Sequence, residues 1–370
     1  MNKLKLLCPC LFGLESILSG EIKRMGGEDV RVSDGKVTFC GDFSLLARAN
    51  LNLRTAERVM IVLGEFTAET FEELFQGVKK LPLEDFIGEK DAFPVKGWSL
   101  NSKLASVPDC QAIIKKAAVE RLKTKYKISW FEETGSLYQI QFSILKDEVT
   151  VMLDTSGVGL HKRGYRKDSN DAPIKETLAA GIVDLARIKP DSVMYDPFCG
   201  SGTFLIEAAT KALNIAPGIN RRFAAEKWGL IPAEVWQSER SRCFDQIRRD
   251  ASFVAYGSDI DRECVLLSEA NAKKAGVSTR VKVSQANVNN FSPETNFGTV
   301  ICNPPYGERL LDIQQAEALY RVMGKQFANS GYSYYIISPH DNFEKLFGKP
   351  ASKRRKLYNG MIRCQLYMYF

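Results

Sequence analysis

Three short segments of this 370-residue chain combine residue types at spacings that can do chemistry. The first is Asp196-Pro197-Phe198-Cys199-Gly200-Ser201-Gly202-Thr203, between an apolar run at 193–196 and a helical pattern at 204–213. Glycines two residues apart let the backbone turn sharply and approach a ligand where no Cβ would fit. The helix start that follows offers free N–H groups to a polar or anionic end. The segment lacks the Gly-Lys-Ser/Thr ending of a phosphate loop, and Leu205 stands where a dinucleotide fingerprint needs its third glycine. The second segment, Gly257-Ser258-Asp259-Ile260-Asp261, closes another apolar run. A carboxylate there can accept both hydroxyls of a ribose, and either aspartate can cap the helix predicted over 262–275. The third is Asn303-Pro304-Pro305-Tyr306. Its prolines fix the backbone and remove donors, leaving carbonyls and the Asn amide as acceptors. Its aromatic ring can stack on a flat base. In isolation this tetrapeptide is equally a rigid turn; at the end of a strand in an open sheet it lies where ligands bind.

The surrounding pattern supplies such a sheet. Apolar runs at 193–196, 253–259, 281–285, 299–302 and 334–338 alternate with helical stretches, which predicts parallel strands covered on both faces. The chain then closes with a hairpin over 356–370 whose Asn359-Gly360 suits a type I′ turn. Upstream, strand patterns at 3–10, 36–39, 58–63, 93–99, 138–145 and 148–154 mix with helical ones at 14–25, 42–50, 70–81 and 110–126. This is an α+β region, expected as two subdomains over 1–54 and 55–156. A glycine-rich, charged linker spans 157–171, and the catalytic domain spans 172–370.

Composition narrows the classes. The chain is 45% hydrophobic and 26% charged, as globular chains are, and its apolar runs are too short to cross a bilayer. Nine scattered cysteines without a C-x-x-C and only two histidines, His161 and His340, give no metal-ligand pattern and argue against histidine-based catalysis. We expect a soluble, cytoplasmic protein with no metal, no membrane attachment and no obligate protein partner evident. Residues 1–165 carry 23 basic and 22 acidic side chains, and residues 166–370 carry 28 and 22. The surplus of +7 thus lies almost wholly in the second half and permits an anionic partner without demanding one.

Together the motifs resemble the class I S-adenosylmethionine-dependent methyltransferases that act on exocyclic base amines. Ala172–Ala179 (APIKETLA), Ile215–Gly218 (IAPG), Asn303–Arg309 (NPPYGER) and Lys356–Gly360 (KLYNG) are similar to the 23S rRNA guanine-N2 methyltransferase family. Phe93–Leu122 and Leu160–Arg166 look like its THUMP region and linker, so the resemblance covers nearly the whole chain. Some members carry a second, C-terminal methyltransferase; the form with a single catalytic domain is expected here. The resemblance implies an α/β, Rossmann-like, seven-stranded catalytic domain preceded by a ferredoxin-like and THUMP RNA-binding region, with ribosomal RNA as partner. It implies S-adenosylmethionine as cofactor, leaving S-adenosylhomocysteine, held by Glu176, Thr177, Asp196, Pro197, Cys199, Gly200, Ser201, Gly202, Thr203, Asp259, Ile260, Asp261, Ala286 and Asn287. Catalysis falls to Asn303, Pro304 and Tyr306.

Phosphate contacts are expected from Lys103, Lys115 and Lys116 on and beside the 110–126 helix, and from Lys162, Arg163, Arg166 and Lys167 in the linker. Composition alone reads these as a solvated face; the resemblance reverses that. Lys353–Lys356 (KRRK) is a further basic run. The 212–250 insertion, with Arg221, Arg222, Trp228 and Trp236, either clasps substrate or packs, and packing is expected of the tryptophans. A DNA adenine-N6 methyltransferase would share the N-P-P-Y chemistry, and a catalytically retired RNA-binding protein is the reading from another class. Asn287 departs from the family, where an Asp commonly accepts the adenine amine. The Asn oxygen still accepts, without charge, so Asn287→Asp should preserve or tighten cofactor binding, and a large loss by calorimetry would displace Asn287 from that role.

Overall fold

The computed structural model describes residues 3–166, 174–306, 313–327 and 331–370. Two seven-stranded sheets organise it. The first uses β1 (Leu4–Pro9), α1 (Glu15–Arg24), β2 (Glu28–Ser33), β3 (Lys36–Gly41), α2 (Phe43–Asn52), β4 (Met60–Thr67), α3 (Phe71–Lys79), β5 (Val95–Leu100), α4 (Val107–Tyr126), β6 (Ile140–Leu145) and β7 (Glu148–Asp154). Its order is β2-β3-β1-β4-β7-β6-β5. Helix starts follow their sequence signals: Asp42 accepts from the Leu45 N–H, and Thr70 with Glu73 closes a capping box. Strand β2 was not legible in the sequence, because five of its six residues are exposed and no apolar alternation marks it. The two expected subdomains share one sheet: β1 pairs antiparallel with β4, Leu6 opposite Ile61 and Leu7 opposite Met60. One apolar cluster runs beneath both.

The second sheet is built from α5 (Glu176–Leu185), β8 (Val193–Asp196), α6 (Thr203–Ala212), α7 (Ala233–Asp245), β9 (Val254–Asp259), α8 (Arg262–Lys274), β10 (Val281–Gln285), β11 (Gly298–Cys302), α9 (Ile313–Gln326), β12 (Tyr332–Ser338), α10 (Phe343–Phe347), β13 (Lys353–Asn359) and β14 (Ile362–Tyr369). Its order, β10-β9-β8-β11-β12-β14-β13, has five parallel strands and then an antiparallel pair, as the pattern of apolar runs predicts. Separate apolar clusters cover its two faces. The strand order reverses between β8 and β11, which run parallel, and this opens a crevice at their carboxyl ends. Among the described residues no helix is long and apolar enough to cross a membrane.

The closing hairpin corrects one expectation. Asn359 pairs with Ile362, so Gly360 and Met361 are the central turn residues, and only Gly360 has a positive φ, +65°. Glycine at the first central position makes a type II′ turn rather than the type I′ expected from Asn-Gly. The 212–250 insertion packs. Trp228 stacks on Tyr138 at 4.3 Å and donates to the Leu137 carbonyl, Trp236 stacks on Phe223, and Glu239 on α7 accepts from Arg48 on α2.

The two halves also meet through Glu57, between α2 and β4. Its carboxylate accepts from Thr177 Oγ1 at 2.6 Å, Lys175 Nζ at 2.8 Å and His161 Nδ1 at 3.2 Å. Burial pushes this carboxyl up, and the three donors outweigh that and hold it down at about 2. A depressed acid stabilises the fold above its ordinary value of 4.5 and loses that contribution as pH falls from 4.5 to about 2. Glu57→Gln should therefore cost about 1–3 kcal/mol at pH 7. In urea titrations the gap to wild type should narrow towards pH 3; a gap independent of pH would show that the Glu57 charge contributes nothing.

Candidate active site

A cavity of about 640 Å³ opens at the carboxyl ends of β8, β9, β10 and β11, and all three sequence motifs wall it. The turn after β8 needs its glycines. Gly200 and Gly202 have φ of +50° and +78°, and a Cβ on Gly202 would lie 2.8 Å from Ser268 Oγ. Gly257 is closely packed, since a Cβ there would lie 2.4 Å from Leu205 Cδ1. Two buried residues of α8 brace the turn: Ser268 Oγ donates to the Gly200 carbonyl and Asn271 Nδ2 to the Ser201 carbonyl. Sequence reasoning missed both. They lie about 70 residues downstream on a helix whose pattern reads as packing.

Asp259 and Asp261 divide the work left open by the sequence. Asp261 caps α8, accepting from the Glu263 N–H at 2.9 Å. Asp259 accepts the Gly200 N–H on one oxygen and the Asp261 N–H on the other, each at 3.0 Å, which ties the second motif to the first. Ile260 between them is 66% exposed at the cavity wall, an apolar surface for a flat ring. Asn287 opens the short turn after β10, its Oδ1 accepting from the Asn289 N–H. Asp196 is buried. Desolvation pushes its carboxyl well above the usual range, the Phe198 N–H opposes this, and the Asp259 charge adds to it. The side-chain oxygen of Asn303 is buried and has no hydrogen-bond partner among the described residues. Tyr306, 7% exposed, accepts from Asn359 Nδ2 at 3.0 Å.

Three residues proposed for the cofactor stand behind the wall rather than on it. Gly202 serves the turn, and the Thr177 hydroxyl is taken by Glu57. The Glu176 carboxylate lies 3.0 Å from the Arg166 guanidinium. The phosphate contacts need larger corrections. Arg163 is buried, paired with Glu207 and donating to the Leu160 and Arg54 carbonyls, so no phosphate can reach it. Arg166 donates to the Ile174 carbonyl and Thr203 Oγ1, and so braces the cavity from behind. Lys103 pairs with Glu69, and Lys115 lies 3.5 Å over the Phe93 ring while paired with Glu133. Lys116 sits 5.8 Å from the Phe75 ring, and Lys162 is exposed. Lys167 and residues 307–309 of the NPPYGER stretch lie outside the described residues.

Comparison with known proteins accounts for this arrangement. Family models match the methyltransferase domain described as RMKL-like over residues 163–368, the RlmL ferredoxin-like domain over 5–60 and the THUMP domain over 68–154. The chain belongs to the RMKL-like methyltransferases. It is 43% identical, over all of its length and 97% of the relative's, to YpsC of Bacillus subtilis (strain 168), assigned as an RNA methyltransferase. It is 33% identical over 98% of its length to the ribosomal RNA large subunit methyltransferase K/L of Psychromonas ingrahamii, and it spans about half of that protein, 49%. The structure of SMU.472, assigned as a methyltransferase and complexed with S-adenosylhomocysteine, superposes with a TM-score of 0.96 at 40% identity, covering 100% of this chain and 98% of that one.

S-adenosylmethionine is the cofactor, and the cavity suits it. The glycine turn leaves room for close backbone approach, Ile260 offers an apolar face, and the carboxyl of Asp196 lies within reach of a cationic ligand. In the free protein burial holds Asp196 towards its neutral form, so its ionisation at neutral pH opposes folding and a positive ligand reverses that balance. Asp196→Asn should raise the thermal midpoint of the free protein by a few degrees at pH 7, yet weaken S-adenosylmethionine by roughly tenfold or more. A variant that neither gains stability nor loses affinity would remove Asp196 from cofactor recognition.

Proposed function

We propose that this methyltransferase transfers the methyl group to the exocyclic N2 amine of a guanine in 23S ribosomal RNA. The observation that carries the reading is the Asn303 side-chain oxygen, buried at the end of β11 on the cavity wall and without a partner among the described residues. A buried acceptor left unpaired costs about 1–3 kcal/mol, and a bound N–H donor removes that cost. An exocyclic base amine is such a donor, and a poor nucleophile while its lone pair is delocalised into the ring.

In this reading the Asn303 oxygen and the Pro304 carbonyl accept the two N–H bonds of the amine. Doing so draws the nitrogen towards tetrahedral geometry and frees its lone pair. Tyr306 supplies the face on which the extruded base stacks. The bound cofactor supplies a sulfonium methyl that is already electrophilic, so this chain's residues have only to align and hold the amine. The preceding THUMP match supports RNA rather than DNA as the substrate, and the names of YpsC and of the K/L relative point the same way. Exposed lysines such as Lys162 and Lys116 would contribute phosphate contacts around the site.

Transfer of labelled methyl to total RNA and DNA, followed by nucleoside analysis, tests the substrate. N2-methylguanosine in the large-subunit rRNA is the expected product, while N6-methyladenine in DNA would establish the alternative. Asn303→Ala should lower turnover by about 10²–10³-fold, as loss of a transition-state hydrogen bond does, with cofactor affinity unchanged. Full turnover in that variant would overturn the assignment, and failure of the wild type to bind cofactor would point to a retired enzyme.

A further inference from the structure

The hairpin that closes the chain has its turn beside the catalytic cavity. Strand β12 runs parallel to β11, β14 antiparallel to β12, and β13 antiparallel to β14. The last residue of β13 therefore lies at the same end of the sheet as the carboxyl ends of β8 and β11. There Asn359 donates from Nδ2 to the hydroxyl of Tyr306, on the cavity wall, at 3.0 Å. One position earlier, on the opposite face of β13, stands Tyr358. Lys356 shares that face, and Arg363 lies directly across from Tyr358 on β14. Lys356 Nζ is 5.4 Å from the centre of the Tyr358 ring. The first half of the chain adds Phe12, which meets Tyr358 edge-on at 6.1 Å. Met361, 96% exposed, stands at the tip of the turn.

Packing does not use up this cluster. Phe12 touches Tyr358 through an edge and stays 56% exposed, so much of its ring remains open to a ligand. The hairpin is docked to the first half from the other face of β13, where Arg355 donates to the Gly13 carbonyl and Ser16 Oγ. Lys356 and Arg363 are exposed. Unlike Lys103, Lys115 and Arg354, neither is paired with a carboxylate among the described residues. Glu15, the acid closest in sequence to Phe12, is turned onto the Gly13 and Gly35 N–H groups. Accessible rings beside unpaired cations match a single nucleic-acid strand, whose bases stack on the rings while its phosphates meet the charges. A duplex hides its base faces, and a protein interface core is depleted in lysine.

We propose that Phe12, Tyr358, Lys356 and Arg363 form a stacking site for an unpaired nucleotide of the substrate RNA beside the target base, with Met361 as an apolar rim. Extruding one base unstacks its neighbour, and a ring next to the pocket restores that contact. The site draws on both halves of the chain, so an RNA strand held there bridges them at the mouth of the cavity. The proposal rests on RNA being the substrate, and it holds whichever base amine accepts the methyl group.

Phe12→Leu and Tyr358→Leu keep apolar bulk where the two halves meet and remove the ring, while Phe12→Tyr and Tyr358→Phe retain it. Binding of the full chain to a fluorescent single-stranded RNA of about 12 nucleotides should weaken about tenfold in each Leu variant and stay within about twofold of wild type in each aromatic one. Lys356→Gln and Arg363→Gln should each reduce the slope of log Kd against log salt by about 0.7. The S-adenosylmethionine Kd should be unchanged throughout, and methyl transfer should show a raised KM for RNA with kcat retained. Unchanged RNA affinity in both Leu variants, or equal losses in the aromatic variants, would overturn the proposal. So would an unaltered salt slope in the two Gln variants, whose exposed positions leave the fold intact even if a Leu variant does not fold. Transfer of labelled methyl to DNA instead of RNA would remove the substrate reading itself, whereas unchanged affinities beside intact RNA methylation would remove the stacking site alone.

Discussion

The geometry of the site depends on a buried ionic junction clamped onto helix α6. This helix begins at Thr203, in the glycine turn that walls the cavity, and carries Glu207 one turn in. Glu207 accepts from the Tyr165 hydroxyl at 3.0 Å and from Arg163 Nε at 3.4 Å. Arg163 in turn donates to the backbone of Arg54, whose own guanidinium reaches the Thr210 and Ile215 carbonyls at the far end of α6. Each charge is out of water, so each depends on its partners: removing one member of a buried pair typically costs about 3–5 kcal/mol, far more than the pair adds over an apolar substitute. The junction ties the helix behind the cavity to the first half of the chain.

Seen from that junction, the sequence was informative in a specific way. Gly200 and Gly202 were legible because a left-handed turn admits no side chain, and that demand is local. The central parallel strands β8, β11 and β12 were legible because strands buried on both faces read as apolar runs. Asn359-Gly360 announced a turn correctly and misplaced it by one residue, since register is set by the whole ladder rather than by the dipeptide. What stayed hidden was long-range and polar. Nothing near Arg163 marks it as a buried clamp, because its partner Glu207 lies 44 residues away, and a linker rich in Gly, Lys and Arg reads as solvated. Ser268, Asn271 and Asn359 are single polar residues in otherwise ordinary elements, and only the fold shows what they hold.

The charge distribution takes on a different meaning once partners are known. Several basic side chains that suggested phosphate binding are engaged within the molecule: Lys103 with Glu69, Lys115 with Glu133, Arg354 with Glu344 and Arg355 with the Gly13 carbonyl. The exposed pairs among these are weak, worth well under about 1 kcal/mol in water, and a phosphate can displace their carboxylates.

The unsatisfied polar groups point the same way. Most buried polar side chains here are paired, as Glu21 is with Thr55 and Asn50 with Thr155 and Ser156; among the described residues Ser99 Oγ, Glu207 Oε2, Trp236 Nε1 and Asn271 Oδ1 are buried without a hydrogen-bond partner. Two further groups face the cavity. Asp196 is held towards its neutral form by burial, and the Asn303 oxygen is left without a partner. Both can be relieved by chemistry that the reaction brings, a positive charge on one side and an N–H donor on the other. Their cost is tolerable because the glycine turn, the brace from α8 and the clamp on α6 hold the cavity open without them.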